Sequence, residues 1–248
     1  MSGENLRIGI NGGAGRMGMA VHTCLQKLYP QSTVIIFDSN PGFERLSPSS
    51  TFGLSGILDF SSPEGFTNVI NTVSELGVPL VSGTTGISEH QHDLLEKAAK
   101  VAPVIWASNY SRGIALMKKM AALAAKLDGF DVEIVEIHHK MKKDAPSGTA
   151  LTLAETVKSV RKEMTPVYGR SGIGDVRSDN EIGIMALRGG TVTGEHRMYF
   201  FGESEHLEIA HHSESRNVLA MGAVLALEWL LNKNPGLYTF EQAIGLED

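Results

Sequence analysis

The chain has 248 residues, 42% of them hydrophobic and 20% charged, and a formal net charge of −6. That size and balance suit one large α/β domain or two small ones with a substantial core, argue against global disorder and disfavour broad nucleic-acid binding. Cys24 is the single cysteine, so no intrachain disulfide can form, as expected in a reducing, cytoplasmic setting. The N-terminal MSGENLRIGING lacks a basic region and an apolar stretch, so no secretion signal is expected, and no run of about 18 apolar residues predicts a membrane span.

In chain order, LRIGI (6–10) predicts a strand, NGGAGRMG (11–18) a glycine loop, and Met17, Ala20, Val21, Cys24 and Leu28 one face of a helix. TVIIFD (33–38) is a second strand ending on Asp38. Gly12, Gly15 and Gly18 permit a tight turn and close approach of main-chain amides to a pyrophosphate at a helix N-terminus. Asp38 is placed to accept hydrogen bonds from an adenosine ribose. The stretch between Asp38 and Ile57 is rich in Ser, Pro and Gly and is not expected to hold a full crossover helix. Strands at 57–60 and 103–109, and a strand running into a small-residue turn over 79–86, then alternate with helices at 63–77 and 87–102. Repeated β-α units imply a parallel, doubly wound sheet with its ligand at the carboxyl ends of the strands.

The second half changes pattern. RGIALMKKMAALAAKL (112–127) predicts a helix with Leu116, Met120, Leu123 and Leu127 as its core stripe. DVEIVEIHH (131–139) reads as a strand with Asp131, Glu133 and Glu136 on a wetter face. A helix over 150–163, a polar glycine-rich stretch over 166–181 and strands at 182–188, 196–202 and 206–212 follow. Strands without intervening helices imply antiparallel or mixed pairing. A long apolar helix at 216–233 returns to the first domain. The predicted fold is α/β: an N-terminal Rossmann-like parallel sheet plus a C-terminal α+β domain with a mixed sheet. The expected division is a dinucleotide-binding domain (1–110 and 217–248) and a substrate-binding and oligomerisation domain (111–216).

Chemistry concentrates in EIHHKMKKDAPSGT (136–149). Ser147 or Thr149 can cap the helix that follows, whose first-turn amides attract anions. Lys142 adds positive charge, and His138 or His139 can handle a proton near neutral pH. This suits a carboxylated substrate with a proton donor beside it. A zinc site is disfavoured: several histidines exist, but no H-x-x-x-H or H-E-x-x-H spacing and no cysteine ligands accompany them. No metal is expected.

GGAGRMG, SGTTG, SNYS, EIHHKMKKDAPSGTA and GGTVTGEH with SESR together resemble the dihydrodipicolinate reductase (4-hydroxy-tetrahydrodipicolinate reductase) family over nearly the whole chain. The resemblance implies NADH- or NADPH-dependent reduction of a cyclic imine dicarboxylate in lysine and diaminopimelate biosynthesis. It implies cofactor contacts from Gly12, Gly15, Arg16, Met17, Gly18 and Asp38, and from Gly83, Thr84, Thr85, Ser108, Asn109 and Tyr110 on the nicotinamide side, with Arg216 of SESR. It assigns His138 as the acid, Lys142 as its catalytic companion, and His139, Ser147, Gly148 and Thr149 as substrate-binding residues.

It also implies a homotetramer joined through sheets of the second domain. Departures from the family pattern are Asp38 in place of glutamate, Ser39 where some members have arginine, Tyr110 for phenylalanine, Arg112 and Leu219 at commonly apolar and aromatic positions, and a short segment after Asp38. The lack of an arginine at 39 predicts NADH preference, with Arg16 left to support NADPH. The alternatives are a non-catalytic dinucleotide-binding sensor or another two-domain NAD(P)-dependent reductase, neither of which needs the His138, Lys142 and Ser-Gly-Thr set.

Overall fold

The structure, a computed structural model, describes residues 6–247. Residues 1–5, on which the expectation of no secretion signal partly rests, lie outside the described residues. The elements are, in chain order, β1 (Arg7–Asn11), α1 (Arg16–Leu28), β2 (Thr33–Phe37), β3 (Gly56–Asp59), α2 (Pro63–Leu76), β4 (Leu80–Ser82), α3 (Glu89–Ala98), β5 (Pro103–Trp106) and α4 (Arg112–Ala124). They continue with β6 (Asp131–His138), α5 (Gly148–Val160), β7 (Thr165–Tyr168), β8 (Glu181–Arg188), β9 (Gly194–Phe201), β10 (His206–Ser213), α6 (Asn217–Leu230), β11 (Gly236–Tyr238) and α7 (Phe240–Ala243). They form two compact units, one of residues up to Arg112 with Arg216 onward, the other Gly113–Ser215. No helix among the described residues is long and apolar enough to cross a membrane.

The first unit is a six-stranded sheet in the order β11-β5-β4-β3-β1-β2, with every pairing parallel. Its strands are short apolar runs because both faces are covered: Ile8, Ile10, Ile57, Leu58, Leu80, Val81, Val104 and Ile105 are all buried. Local signals set the helix ends. Ser62 caps α2 by accepting from the Gly65 amide, Pro63 opens it, and Gly77 closes it at φ 67°. Ser88 and Gln91 form a reciprocal capping box on α3. The segment between β2 and β3 contains no helix, as its composition predicts. β1 lies between β2 and β3, so the strand order reverses there and opens a crevice at the carboxyl ends.

The second unit is a five-stranded mixed sheet in the order β10-β9-β6-β8-β7. β6 runs parallel to β8 and antiparallel to β9. One face carries the core, where Val132, Ile134, Ile182, Ile184, Met198 and Phe200 meet Met117, Ala121, Leu153 and Val157 of α4 and α5. The opposite face carries Val135, Ile137, Met185, Leu187, Tyr199 and Phe201, all half-buried or exposed.

Two expectations for this unit need correction. The Leu116, Met120, Leu123 and Leu127 stripe of α4 is exposed, Leu123 by 68%. The buried stripe is Ile114, Met117, Ala121 and Ala124. Both stripes have helical spacing, and the one with small alanines lets the helix approach the sheet closely. Glu136 is not on a wet face but fully buried, because strict alternation along β6 buries Val132, Ile134, Glu136 and His138 together. β7, β11 and α7 were not anticipated. β7 is an edge strand, where Pro166 is tolerated.

Candidate functional site

In the first unit the crevice at the β1/β3 reversal encloses about 330 Å³ and is lined by Asn11, Gly12, Gly15, Asp38, Arg45 and Ser61 among others. Glycine is required in its loop. Gly12 has φ 76°, and a Cβ there would fall 2.5 Å from the Phe60 carbonyl oxygen. A Cβ on Gly18 would fall 2.4 Å from the Gly12 oxygen, so the loop lies directly on the first turn of α1. Gly15 caps α1 without a side-chain bond, which leaves first-turn amides available to an anion. Asp38 is 8% exposed. Its Oδ2 accepts from the Ala14 amide at 3.0 Å and its Oδ1 from the Asn40 amide at 2.9 Å, so it braces the glycine loop. Arg16 is exposed and Met17 half-buried.

Beneath these loops lies a buried carboxylate, Asp59. It accepts from Asn11 Nδ2 (2.8 Å), Ser61 Oγ (2.6 Å), Ser82 Oγ (2.7 Å) and Thr84 Oγ1 (2.7 Å), linking three strand ends. Thr84 therefore turns its side chain inward. Tyr110 is also a core residue: its hydroxyl donates to the Ser82 carbonyl at 2.7 Å, and its ring stands edge-on to Phe60 and Phe240. Both side chains are engaged inside the unit, where they brace the loops at the strand ends. Gly83 packs against the Phe60 ring, whereas Thr85 and Ser108 are exposed. Asn109 accepts from the Ser111 amide at 2.8 Å. Arg216 is exposed at the N-cap of α6.

In the second unit the functional block forms one cluster. His138 ends β6, and its Nδ1 lies 2.6 Å from Glu136 Oε2. The Glu136 carboxylate also accepts from Arg188 Nη1 and Nη2, both at 2.8 Å, and from the Ser147 amide at 3.0 Å. Ser147 is the N-cap of α5: its Oγ accepts from the Ala150 amide at 3.2 Å and lies 3.1 Å from His196 Nε2. The His138 and His196 rings stand edge-on with centroids 5.3 Å apart. A Cβ on Gly194 would approach His138 Nε2 to 3.0 Å, so glycine keeps that nitrogen unobstructed.

The charges follow from these neighbours. Burial pushes the Glu136 carboxyl up, but Arg188, His138 and the Ser147 amide outweigh it and hold the group below the usual range. Burial pushes His138 down, and Glu136 only partly offsets it. Burial, helped by the charge on His138, pushes His196 down to about 4. Lys142 Nζ is paired with both oxygens of Asp144 at 2.9 and 2.8 Å, and its charge is felt at His138. His139 is half-buried, Gly148 exposed and Thr149 half-buried in the first turn of α5. Among the described residues no group of three or more His, Cys, Asp or Glu is arranged to hold a metal.

The sequence reading singles out His138, Lys142 and the Ser-Gly-Thr turn; the structure adds Glu136, Arg188 and His196 around His138 and Ser147. Each of these is far from the block in sequence or disguised by a surface-like residue type. The one available signal was period two along β6, which puts Glu136 on the same face as His138. Chemically, the cluster offers an imidazole held by a carboxylate at Nδ1, with Nε2 left to handle a proton. Main-chain amides of α5 and Lys142 are suited to hold anionic groups.

Comparison with known proteins gives a consistent result. Two family models match: dihydrodipicolinate reductase, N-terminus, over residues 6–110, and dihydrodipicolinate reductase, C-terminus, over residues 113–244. The 4-hydroxy-tetrahydrodipicolinate reductase of a Nitratiruptor species is 41% identical, with 97% of this chain and 100% of the relative covered. That of Campylobacter lari is 39% identical at the same coverage. Among solved structures, a dipicolinate-bound dihydrodipicolinate reductase from Paenisporosarcina sp. TG-14 shares the fold, with TM-score 0.79, 24% identity and 97% and 100% of the two chains covered.

Proposed function

Because the chain belongs to the dihydrodipicolinate reductase family, we propose that it is a 4-hydroxy-tetrahydrodipicolinate reductase. It reduces the cyclic imine dicarboxylate of lysine and diaminopimelate biosynthesis to tetrahydrodipicolinate with NAD(P)H. The observation that carries this reading is the bond from His138 Nδ1 to buried Glu136 beside the α5 N-terminus and Lys142. It supplies a proton-handling nitrogen next to groups suited to carboxylates.

The first unit fits a dinucleotide: Gly12 and Gly15 of its loop line the crevice with no side chain to block a pyrophosphate, and Asp38 and Arg45 line it too. A bound nicotinamide supplies the hydride. The protein's own part is to hold and protonate the substrate. Amides of Gly148 and Thr149, the Thr149 hydroxyl, His139 and Lys142 hold the two carboxylates. Ser147 contributes by fixing the turn, since its amide and hydroxyl are both engaged inside the unit. His138 Nε2 gives a proton to the ring carbon that becomes nucleophilic. His138 is held low in the free protein, so a dianionic substrate raises its proton affinity and its binding is coupled to uptake of a proton from solvent at Nε2. Lys142 leaves Asp144 for the substrate and stabilises developing negative charge.

The preferred cofactor is NADH. Asp38 is suited to a ribose diol and repels a 2′-phosphate, and Ser39 offers no positive charge. Arg45 stands at the same crevice and gives NADPH a partial partner. The protein acts as a cytoplasmic homotetramer, in keeping with its single cysteine and the apolar outer face of the second sheet. The test is NADH oxidation by purified protein, with substrate generated in the cuvette from pyruvate and aspartate semialdehyde by the preceding synthase. Oxidation that requires the synthase product is expected; none, with NADH still bound, would overturn the reading.

A further inference from the structure

Glu136 is an unusual occupant of its position. Val132 and Ile134, on the same face of β6, are apolar core residues, and nothing in packing calls for a charge next to them. A buried Glu–Arg pair is generally no more stabilising than apolar residues of similar volume. Its presence there therefore points to a task other than stability. Both carboxylate oxygens are saturated: Oε2 takes His138 Nδ1 and Arg188 Nη1, and Oε1 takes Arg188 Nη2 and the Ser147 amide. A carboxylate held ionised can only accept. His138 Nδ1 must therefore carry a hydrogen, which leaves Nε2 as the nitrogen that exchanges a proton.

Arg188 does more than neutralise Glu136. Its side chain sits beside His138, its direct parallel partner across β6 and β8. Nη2 also donates to the Asp144 carbonyl at 2.6 Å, and Nη1 to the Leu187 carbonyl at 2.7 Å. The Asp144 side chain in turn holds Lys142 Nζ. One guanidinium thus fixes both the carboxylate that orients His138 and the loop that carries Lys142.

We propose that Arg188 and Glu136 form a positioning pair: Glu136 sets the tautomer of His138, and Arg188 locks Glu136 to the Lys142 loop. The pair acts through His138 and the Lys142 loop, with its contacts made to those groups. The proposal rests on the reading of His138 as the proton donor. The ionisable groups facing His138 are Glu136, Arg188, Lys142 and His196, so variants at the first two leave the other two in place.

The test uses full-length Glu136→Gln and Arg188→Lys, read by imidazole nitrogen NMR of His138, by kcat, substrate KM and their pH profiles, and by the NADH Kd. Glu136→Gln is expected to lose the exclusive Nδ1–H form and to lower kcat about tenfold or more, with the NADH Kd unchanged. Lysine cannot span two carboxylate oxygens and a carbonyl. Arg188→Lys is thus expected to keep the Nδ1–H form while raising substrate KM more than it lowers kcat. An unchanged His138 signal and kcat pH profile in Glu136→Gln would overturn the proposal. If that variant does not fold, unchanged KM and kcat in Arg188→Lys would do the same. A His138→Ala protein with undiminished turnover overturns the reading of the site itself, and the positioning role with it.

Discussion

Ser147 Oγ lies 3.1 Å from His196 Nε2. The helix-capping serine thus shares a buried bond with a histidine of β9. That bond keeps His196 in the interior, where its pKa falls to about 4. The unfolded chain, with an ordinary histidine value of about 6.5, binds the extra proton first. Stability from burying this group is therefore complete above about pH 6.5 and is lost as pH falls toward 4, to a limit of about 3 kcal/mol. His138 and His211 are shifted in the same direction and add to that limb. Glu136 adds a further loss below its unfolded value, since its carboxyl is held low in the fold. Urea midpoints at pH 7 and pH 5 should differ markedly, and His196→Gln should narrow the difference. An equal drop in the variant would refute this account.

His138→Ala and Lys142→Ala should each lower kcat by about a hundredfold or more while retaining NADH binding, as expected for lost acid catalysis and lost charge stabilisation. Unchanged turnover in either would remove that residue from the mechanism.

NADH should give the higher kcat/KM of the two cofactors, and Arg45→Ala should reduce NADPH use more than NADH use. Arg45 was not singled out in the sequence; it lines the crevice because the helix-free segment after β2 folds back beside Asp38. Better use of NADPH than of NADH would contradict the assignment.

Gly18→Ala would force its new methyl against the Gly12 carbonyl. The expected loss is about 1–3 kcal/mol of stability, with weaker NADH binding. Gly174→Ala, where a Cβ meets nothing within 4 Å, is the control and should be neutral. Thermal unfolding and NADH titration of the pair would check both.

On the outer face of the second sheet the Tyr199 and Phe201 rings stack at 5.4 Å. If the proposed tetramer joins through this face, light scattering should show a tetramer for the parent chain and smaller species for Phe201→Asp. A tetramer of unaltered stability would place the interface elsewhere.

The sequence by itself determined the repeated β-α plan, the glycine loop, the helix caps and the block from His138 to Thr149. Each is a local effect, written in residue type over a few neighbouring positions: strand periodicity, small residues in a turn, a serine before a helix. Tertiary structure decided the rest. Which of two equally spaced stripes of α4 is buried depends on how closely its alanines approach the sheet. Whether Glu136 is wet or buried depends on what covers β6. Arg188 and His196 reach the site only because β8 and β9 flank β6 in register. Sheet neighbours far apart in sequence carry no local pattern that announces their partner. Arg188 and His196 were therefore invisible until the strands were paired, whereas Glu136, two residues from His138 on β6, was legible in its face but not in its burial.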